Sequence, residues 1–249
     1  MKDTFANPMP RPIIVAHRGL HEVAPENSYG AIRAAELEGF DWIECDVWNS
    51  LDGIPIVIHD RTLERTTNGK GNVDECGCSE LASIRLLDCD GRPCETERLP
   101  YLSDFVGFHD DDAKLLPPMR LIEIKPLGAL QLIREIILGN CWVSGDMIQS
   151  FDEANLIHSL ACDERIPVAY LIEDRRTLEK AVADGWDRLH LFHQLLDAST
   201  ADWLRRKGVV YGAWTPNTEE DIRRVRNLGA SMVITDEPVL ARTIIEGLD

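Results

Sequence analysis

Short apolar segments rich in β-forming residues recur along the chain, and most of them end in polar residues. Helix-like stretches separate most of these segments, and Gly39, Gly185, Gly208 and Gly229 close four of the stretches. Such alternation is typical of βα units around a parallel sheet. The predicted strands cover residues 13–17, 42–47, 55–59, 121–125, 147–151, 168–172, 188–191, 209–214 and 232–236.

The number of predicted strands is one more than a closed (β/α)8 barrel contains. The Asp52-Gly53 pair between the second and third segments predicts a tight turn without a crossover helix, so one of these two segments need not be a regular barrel strand. The sequence leaves open which one. The chain has 249 residues, a common length for one such barrel. We therefore predict an α/β fold, a TIM-like (β/α)8 barrel that forms a single domain over residues 1–249.

One long stretch, residues 61–118, interrupts the regular alternation. It contains many turn formers, four cysteines, an acidic run at 110–112 and two prolines at 117–118. Long irregular segments in barrels are most often loops at the functional end. We predict that this stretch is a small insertion on the C-terminal rim of the barrel.

Composition and cysteine usage indicate the cellular setting. Apolar residues make up 44% of the chain and charged residues 28%, and no apolar run approaches the roughly 18 residues that a membrane span requires. No secretory signal precedes Ile13, and seven cysteines are an odd number. We expect a soluble, cytoplasmic protein with reduced thiols and no stable membrane anchoring. A homo-oligomer is compatible with this sequence.

The formal net charge of −17 excludes one class of partner. Nucleic acid requires a stripe of Lys and Arg that no segment supplies, so we expect no nucleic-acid partner. A small anionic ester is a different case, because a bound divalent cation can reverse the electrostatic field inside one cleft.

Three carboxylates stand at the ends of predicted strands, which converge on the functional face of a parallel barrel. Glu44 and Asp46 lie two residues apart, so both side chains point to one face, which can be the barrel interior, while Cys45 points outward. Glu123 ends a separate strand. Converging carboxylates repel one another unless they bind a hard divalent cation, here Mg²⁺ or Ca²⁺, with Mn²⁺ also compatible. The alternative is that each acid forms its own surface salt bridge.

Two histidines and two cations also stand at strand ends. His17 and His59 each follow an apolar strand, and two histidines across a cleft can divide a pair of proton transfers. A structural role for either histidine is the alternative. The guanidinium of Arg18 and the ammonium of Lys125 both suit phosphate oxygens.

Two further groups could bind a metal. The cysteines of the insertion could form a zinc site, but the usual Cys-x2-Cys spacing is missing. His190 and His193 have no matching acids nearby in the sequence, which favours a core or surface role for both. The insertion cysteines are Cys76, Cys78, Cys89 and Cys94.

Ten short runs resemble, in the same order, the motifs of glycerophosphodiester phosphodiesterases, and together they span nearly the whole chain. The runs are residues 16–19, 25–28, 44–47, 52–53, 56–60, 63–67, 123–125, 149–151, 214–217 and 235–238. Ser28 stands where the family usually has Thr, and Pro216 where it usually has Val. Pro216 removes a backbone donor beside the alcohol pocket, so the preferred leaving alcohol could differ.

The resemblance implies a TIM-like barrel with a small insertion, and a role for each residue singled out above. By this resemblance, the metal ligands would be Glu44, Asp46 and Glu123, and the acid/base pair would be His17 and His59. Arg18 and Lys125 would bind the phosphate. Trp214 would form the apolar wall for the alcohol. We assign His17 as the base and His59 as the acid. The glycerol 2-hydroxyl would attack first, and water would then open the cyclic phosphate.

The expected activity is metal-dependent hydrolysis of a small-molecule glycerophosphodiester to glycerol 3-phosphate and an alcohol. One alternative is a phospholipase or lysophospholipase-type phosphodiesterase acting on lipid-like diesters, for which Leu115-Leu116 is the only hint. The other alternative is a catalytically silent barrel that binds phosphodiesters, which would require a broken set of catalytic residues.

Overall fold

The chain folds around one parallel sheet, and a computed structural model describes residues 11–107, 118–125, 146–162 and 166–247. The described strands are β1 (Ile13–Ala16), β2 (Trp42–Asn49), β3 (Pro55–Val57), β4 (Arg85–Leu87), β5 (Pro93–Arg98), β6 (Met119–Ile124), β7 (Met147–Ser150), β8 (Val168–Ile172), β9 (Arg188–Phe192), β10 (Val210–Trp214) and β11 (Met232–Thr235). The described helices are α1 (Tyr29–Leu37), α2 (Cys78–Leu81), α3 (Leu102–Gly107), α4 (Glu153–Cys162), α5 (Arg175–Ala183), α6 (Ala198–Lys207), α7 (Glu219–Asn227) and α8 (Pro238–Glu246).

Eight of these strands form a closed parallel barrel. The order is β1-β11-β10-β9-β8-β7-β6-β2, and β2 also pairs with β1, so that the sheet has no break. The predicted (β/α)8 barrel is confirmed. The excess strand is β3, which pairs antiparallel with β2 across a turn in which Gly53 has φ +79°. The turn predicted from Asp52-Gly53 is therefore present, and β2 is the barrel strand of this pair.

Alternate residues of a barrel strand face opposite environments, and β2 shows this clearly. Cys45 is fully buried in the apolar core that lies between the barrel and its helices. Trp42, two positions from Glu44, belongs instead to a separate apolar cluster with Val15, Leu121 and other residues. This cluster fills the lower part of the barrel interior. The inward-facing residues that come later on the same strands are polar and lie at the C-terminal mouth of the barrel.

Four helices end one or two residues before the glycines predicted to close them. Ser28, Asp174, Asp197 and Thr218 each accept a backbone hydrogen bond from the first turn of the following helix. These caps satisfy amide groups that have no partner within the helix. The four glycines predicted to close helices all have positive φ, a conformation that costs other residues free energy.

The described part of the predicted insertion contributes no strand to the barrel. It contains α2 and the antiparallel β4–β5 pair. Most of its buried apolar residues form a separate core cluster with Trp48 and Ile56, while Leu102 and Phe105 pack into the main core. Its Arg65 reaches Glu26, in the loop that follows β1, so this segment lies against the C-terminal rim. Leu115-Leu116, on which the lipid-diester alternative depends, lies outside the described residues.

The described residues also bear on the membrane and the cysteines. No helix within the described ranges is both long enough and apolar enough to cross a bilayer. The five cysteines whose side chains are described, Cys45, Cys76, Cys78, Cys89 and Cys94, are free thiols. Cys141 lies outside the described residues, and the side chain of Cys162 is not described.

Two glycines with similar backbone conformations allow a matched test of packing. Gly19 has φ +80° and Gly39 φ +75°, but only at Gly19 would a β-carbon meet other atoms, 2.7 Å from the carbonyl carbon of Ala31. Gly39→Ala should lower the free energy of unfolding by about 1–2 kcal/mol, the cost of a left-handed conformation. Gly19→Ala should cost more, because backbone must also move. Urea unfolding measures both, and equal losses would contradict the close approach.

Candidate active site

The polar mouth of the barrel brings the predicted residues together. His17 and Arg18 follow β1 directly, Glu44 and Asp46 lie within β2, and Glu123 lies near the end of β6. Lys125 follows β6, Trp214 ends β10, and His59 lies just beyond β3. A cavity of about 280 Å³ lies in this mouth. Its lining residues are His17, Arg18, His59, Glu123, Gln149, Phe151, Leu171, Glu173, Trp214, Thr215 and Ile234.

Three buried carboxylates form the base of the site. Glu44, Asp46 and Glu123 are 0%, 0% and 5% exposed, and one carboxylate oxygen from each lies within 4.8 Å of the others. Burial and the charges of its two neighbours raise the pKa of Glu44 well above its ordinary value. Burial also raises the pKa of Glu123, to about 7. Closely spaced oxygens that resist ionisation together match the donor set of a hard divalent cation.

Two cations partly balance these acids. Lys125 Nζ lies 2.7 Å from Asp46 Oδ1 and also contacts Glu123, while Arg18 Nε lies 3.1 Å from Asp46 Oδ2. Burial opposes ionisation of Asp46, but Lys125 and Arg18 outweigh that effect and hold its pKa below the ordinary value. Arg18 lines the cavity, whereas Lys125 is 8% exposed and lies beneath it among the acids.

The loop after β1 has a strained conformation that aims Arg18. Arg18 and Asn27 have φ of +59° and +58°, in the left-handed region that few residues other than glycine adopt. Asn27 donates a backbone hydrogen bond to the Arg18 carbonyl oxygen at 3.0 Å. Its side-chain amide donates to Asp46 Oδ2 at 2.9 Å. Both ends of the strained segment, Arg18 and Asn27, thus contact the acidic group.

The ring of His17 is held by a carboxylate at the end of β11. Its Nδ1 lies 2.6 Å from Asp236 Oδ1, which also contacts His21 Nε2 at 3.1 Å. The Asn217 amide donates to the other Asp236 oxygen at 2.6 Å. Burial lowers the pKa of His17, although Asp236 opposes this shift. With Nδ1 engaged, Nε2 is the ring nitrogen left for chemistry, 4.0 Å from Glu44 Oε2.

His59 is held by a second carboxylate, and that one belongs to a chain of ion pairs. His59 Nδ1 lies 2.6 Å from Asp60 Oδ1, and the Arg65 guanidinium bridges Asp60 and Glu26. Glu26 in turn accepts from Arg18 Nη1 at 3.0 Å. Burial lowers the pKa of His59. The chain of pairs connects the loop that carries one histidine with the loop that carries the other.

An aromatic cluster contributes to the lining of the same cavity. The Trp214 ring contacts Phe151 edge-on, with ring centroids 5.4 Å apart, and Phe192 at 5.3 Å. Trp214 Nε1 donates to the His190 carbonyl oxygen at 3.0 Å. The cavity is therefore lined both by charged residues and by aromatic rings.

The other candidate metal groups do not assemble within the described ranges. There, the only set of metal-donor side chains close enough to share an ion is Glu44, Asp46 and Glu123, so the described insertion cysteines form no zinc site. His193 contacts Arg224 and Asp221, and His190 is buried inside the barrel.

A family model described as the glycerophosphoryl diester phosphodiesterase family matches residues 17–240. The chain belongs to this family. A glycerophosphodiester phosphodiesterase from Caldanaerobacter subterraneus subsp. tengcongensis is 30% identical over 234 residues, covering 91% of this chain and 94% of that protein. The protein is accordingly a phosphoric diester hydrolase, and the predicted family is confirmed.

Solved structures of phosphodiesterases share the barrel. A glycerophosphodiester phosphodiesterase from Thermotoga maritima is 26% identical, with a TM-score of 0.71 over 92% of this chain and 96% of that one. A phosphodiesterase from Oleispira antarctica, solved with the product sn-glycerol-3-phosphate, is 24% identical. Its TM-score is 0.78 over 95% of this chain and 97% of that one.

Four residues of this phosphodiesterase site have functions in the structure that the sequence did not predict. Asp236 and Asp60 could have been found by the same reasoning that selected His17 and His59, because each stands at or just beyond a strand end. Asn27 and Gln149 lie in family-like runs, but their roles depend on contacts with distant residues that the sequence does not show.

The ion-pair chain predicts that Arg65 supports turnover although it is 46% exposed. Arg65→Ala should lower kcat by about tenfold, less than the roughly 100-fold that a 1 Å misplacement can cost, because Asp60 and Glu26 lose their common partner. Arg61→Ala is the matched control, since among the described residues Arg61 forms its ion pairs with Asp74 and Glu75. Release of glycerol 3-phosphate measures both variants. Indistinguishable kcat values for the two would show that the chain of pairs has no catalytic consequence.

Proposed function

We propose that a glycerophosphodiester binds with its phosphate between the two histidines and its alcohol portion against Trp214. The observation that carries this proposal is that one cavity is lined both by His17, Arg18 and His59 and by Trp214. The product complex of the Oleispira antarctica relative supports glycerol 3-phosphate as the product.

We propose further that Glu44, Asp46 and Glu123 hold one divalent cation, Mg²⁺ or Ca²⁺, with Mn²⁺ compatible. The support is the donor set itself, three buried carboxylates whose oxygens lie within 4.8 Å of one another. When bound, such an ion supplies positive charge that stabilises the phosphoryl oxygens as negative charge develops on them.

Proton transfer is assigned to the histidines. In the first step His17 Nε2 takes the proton of the glycerol 2-hydroxyl, the 2-oxygen bonds to phosphorus, and the bond from phosphorus to the alcohol oxygen breaks. His59 gives its proton to that oxygen. Water then opens the cyclic phosphate with the two roles reversed. Asp236 and Asp60 contact Nδ1 of His17 and His59 respectively, which leaves each Nε2 for these transfers.

Arg18 and Lys125 are assigned to the phosphate. Arg18 lines the cavity and presents a guanidinium that matches two phosphate oxygens. Lys125 acts from below, where its ammonium keeps the acidic group from repelling an anionic ester. Residues 61–118 are assigned as an insertion in a single domain of residues 1–249, and Arg65 joins this insertion to the loop after β1.

The metal assignment predicts that chelation abolishes turnover and that Mg²⁺, Mn²⁺ or Ca²⁺ restores it. Glu44→Gln should weaken Mn²⁺ binding and lower kcat while leaving the melting temperature close to that of the wild type, because one charge is lost while the shape is retained. Glu75→Gln is the control, since Glu75 is 65% exposed and pairs with Arg61 rather than with the acidic group. Full activity after exhaustive chelation, checked by metal analysis, would refute the metal assignment.

The histidine assignment predicts that Ala or Gln at either position lowers kcat/KM by roughly 10²- to 10⁴-fold. The two losses should not add in the double variant, because loss of one partner already disables the paired transfer.

A second substrate distinguishes base from acid. A nitrophenyl ester has a leaving group that needs little protonation, so His59→Ala should recover on it whereas His17→Ala should not. Recovery of His17→Ala instead would reverse the two roles. Near-normal activity of both variants on a natural diester would remove the histidines from the mechanism.

A further inference from the structure

A buried histidine lies within the barrel, beyond the residues to which a role has been assigned. His190 lies on β9 and is 1% exposed, and its side chain contacts the side chain of Gln149 inside the barrel. Burial lowers its pKa to about 3, so its ring is neutral and carries a single N–H. A neutral buried ring can fill space or can orient one neighbour through that N–H.

The hydrogen bonds of Gln149 determine which ring nitrogen carries the proton. Gln149 Nε2 donates to Glu44 Oε1 at 3.4 Å, and Gln149 Oε1 lies 2.8 Å from His190 Nδ1. Cation binding requires Glu44 to be ionised, and an ionised carboxylate only accepts, so in that state the amide nitrogen faces Glu44 and the amide oxygen faces His190. The oxygen can accept only if His190 carries its proton on Nδ1.

The space for this ring comes from a glycine on the next strand. Gly212 is the register partner of His190, and a β-carbon there would lie 2.9 Å from His190 Cδ2 and 3.1 Å from the Met232 β-carbon. Any side chain at position 212 would push the ring from its place. The missing side chain at 212 therefore keeps His190 in reach of Gln149.

The contacts that begin at His190 end at the carboxylate of Glu44, whose orientation is fixed. Glu44 is fully buried, its Oε2 accepts from the Arg18 backbone N–H at 3.1 Å, and its Oε1 accepts from Gln149. We infer that His190, acting through Gln149, is a positioning residue that fixes the orientation of the Glu44 carboxylate toward a bound cation. The inference rests on the metal-binding role proposed for Glu44. Partners of this kind typically change metal affinity by 10- to 100-fold.

Two substitutions at position 190 separate orientation from space filling. His190→Leu keeps most of the bulk and removes the N–H, whereas His190→Asn places an amide N–H near the position of Nδ1 and leaves a cavity. Mn²⁺ binding to chelator-treated protein, measured by calorimetry, should weaken about tenfold in His190→Leu and stay within about threefold of the wild type in His190→Asn. Melting temperatures should fall more in His190→Asn. If the ring only fills space, the melting temperatures should still fall, but His190→Leu should not bind Mn²⁺ more weakly than His190→Asn. That result would overturn the inference.

A double variant tests whether His190 acts through Gln149. Gln149→Met removes both hydrogen bonds while keeping length, so His190→Leu should cost no further Mn²⁺ affinity in that background. Additive losses would overturn the route through Gln149. His158→Leu, on α4, is the control for loss of a histidine elsewhere, and its Mn²⁺ affinity should equal that of the wild type.

Nuclear magnetic resonance of the wild-type ring keeps the inference testable if a variant fails to fold. In protein loaded with Mg²⁺ or Ca²⁺, the ¹⁵N shifts of His190 should report a neutral ring protonated on Nδ1, and protonation on Nε2 would overturn the inference. Failure of the wild type to bind Mn²⁺, Mg²⁺ or Ca²⁺ would refute the proposed metal site and this inference together. Wild-type binding that His190→Leu leaves unchanged would overturn the inference alone.

Discussion

Three carboxylates buried at one point impose the strongest constraint on this structure. Their mutual repulsion and their loss of hydration both favour protonation, as the raised pKa values of Glu44 and Glu123 show. The barrel tolerates them because Lys125 and Arg18 contribute positive charge at the two oxygens of Asp46 and because hydrogen-bond donors fix the carboxylate oxygens. Much of the surrounding architecture serves this arrangement. Breaking one pair would leave an uncompensated buried charge, which is usually far more costly than replacing the whole group.

The strained loop after β1 follows from that constraint. Arg18 must turn its backbone N–H toward Glu44 and its guanidinium toward Asp46, and the left-handed conformation permits both. Left-handed conformations cost free energy, so they persist only where the surroundings determine them. Here Asn27 holds the loop in this conformation through its contacts with Asp46. Gly19 allows the loop to pass close to the Ala31 backbone.

Much of the barrel could be predicted from the sequence because its signals are local. The spacing of two between Glu44 and Asp46 was enough to predict a shared face, and the structure places both within the barrel mouth. The structure answered which of β2 and β3 is the barrel strand, since that depends on pairing with β1 and β6. The bridge from Arg65 to Glu26 spans 39 residues of sequence and joins two loops. The sequence pattern of neither loop predicts this ion pair, so it could be found only from the three-dimensional structure.

The environment of His17 shows why closure of the barrel matters for chemistry as well as for stability. His17 follows the first strand and Asp236 follows the last, 219 residues apart, yet their side chains lie 2.6 Å from each other. They meet because β1 pairs with β11 in parallel register, which puts the ends of the two strands side by side. Asn217, in the loop after β10, then fixes Asp236 from the other side. An open sheet with the same local structure would leave His17 without its carboxylate, so the proposed base acquires its orientation only when the two ends of the chain have come together.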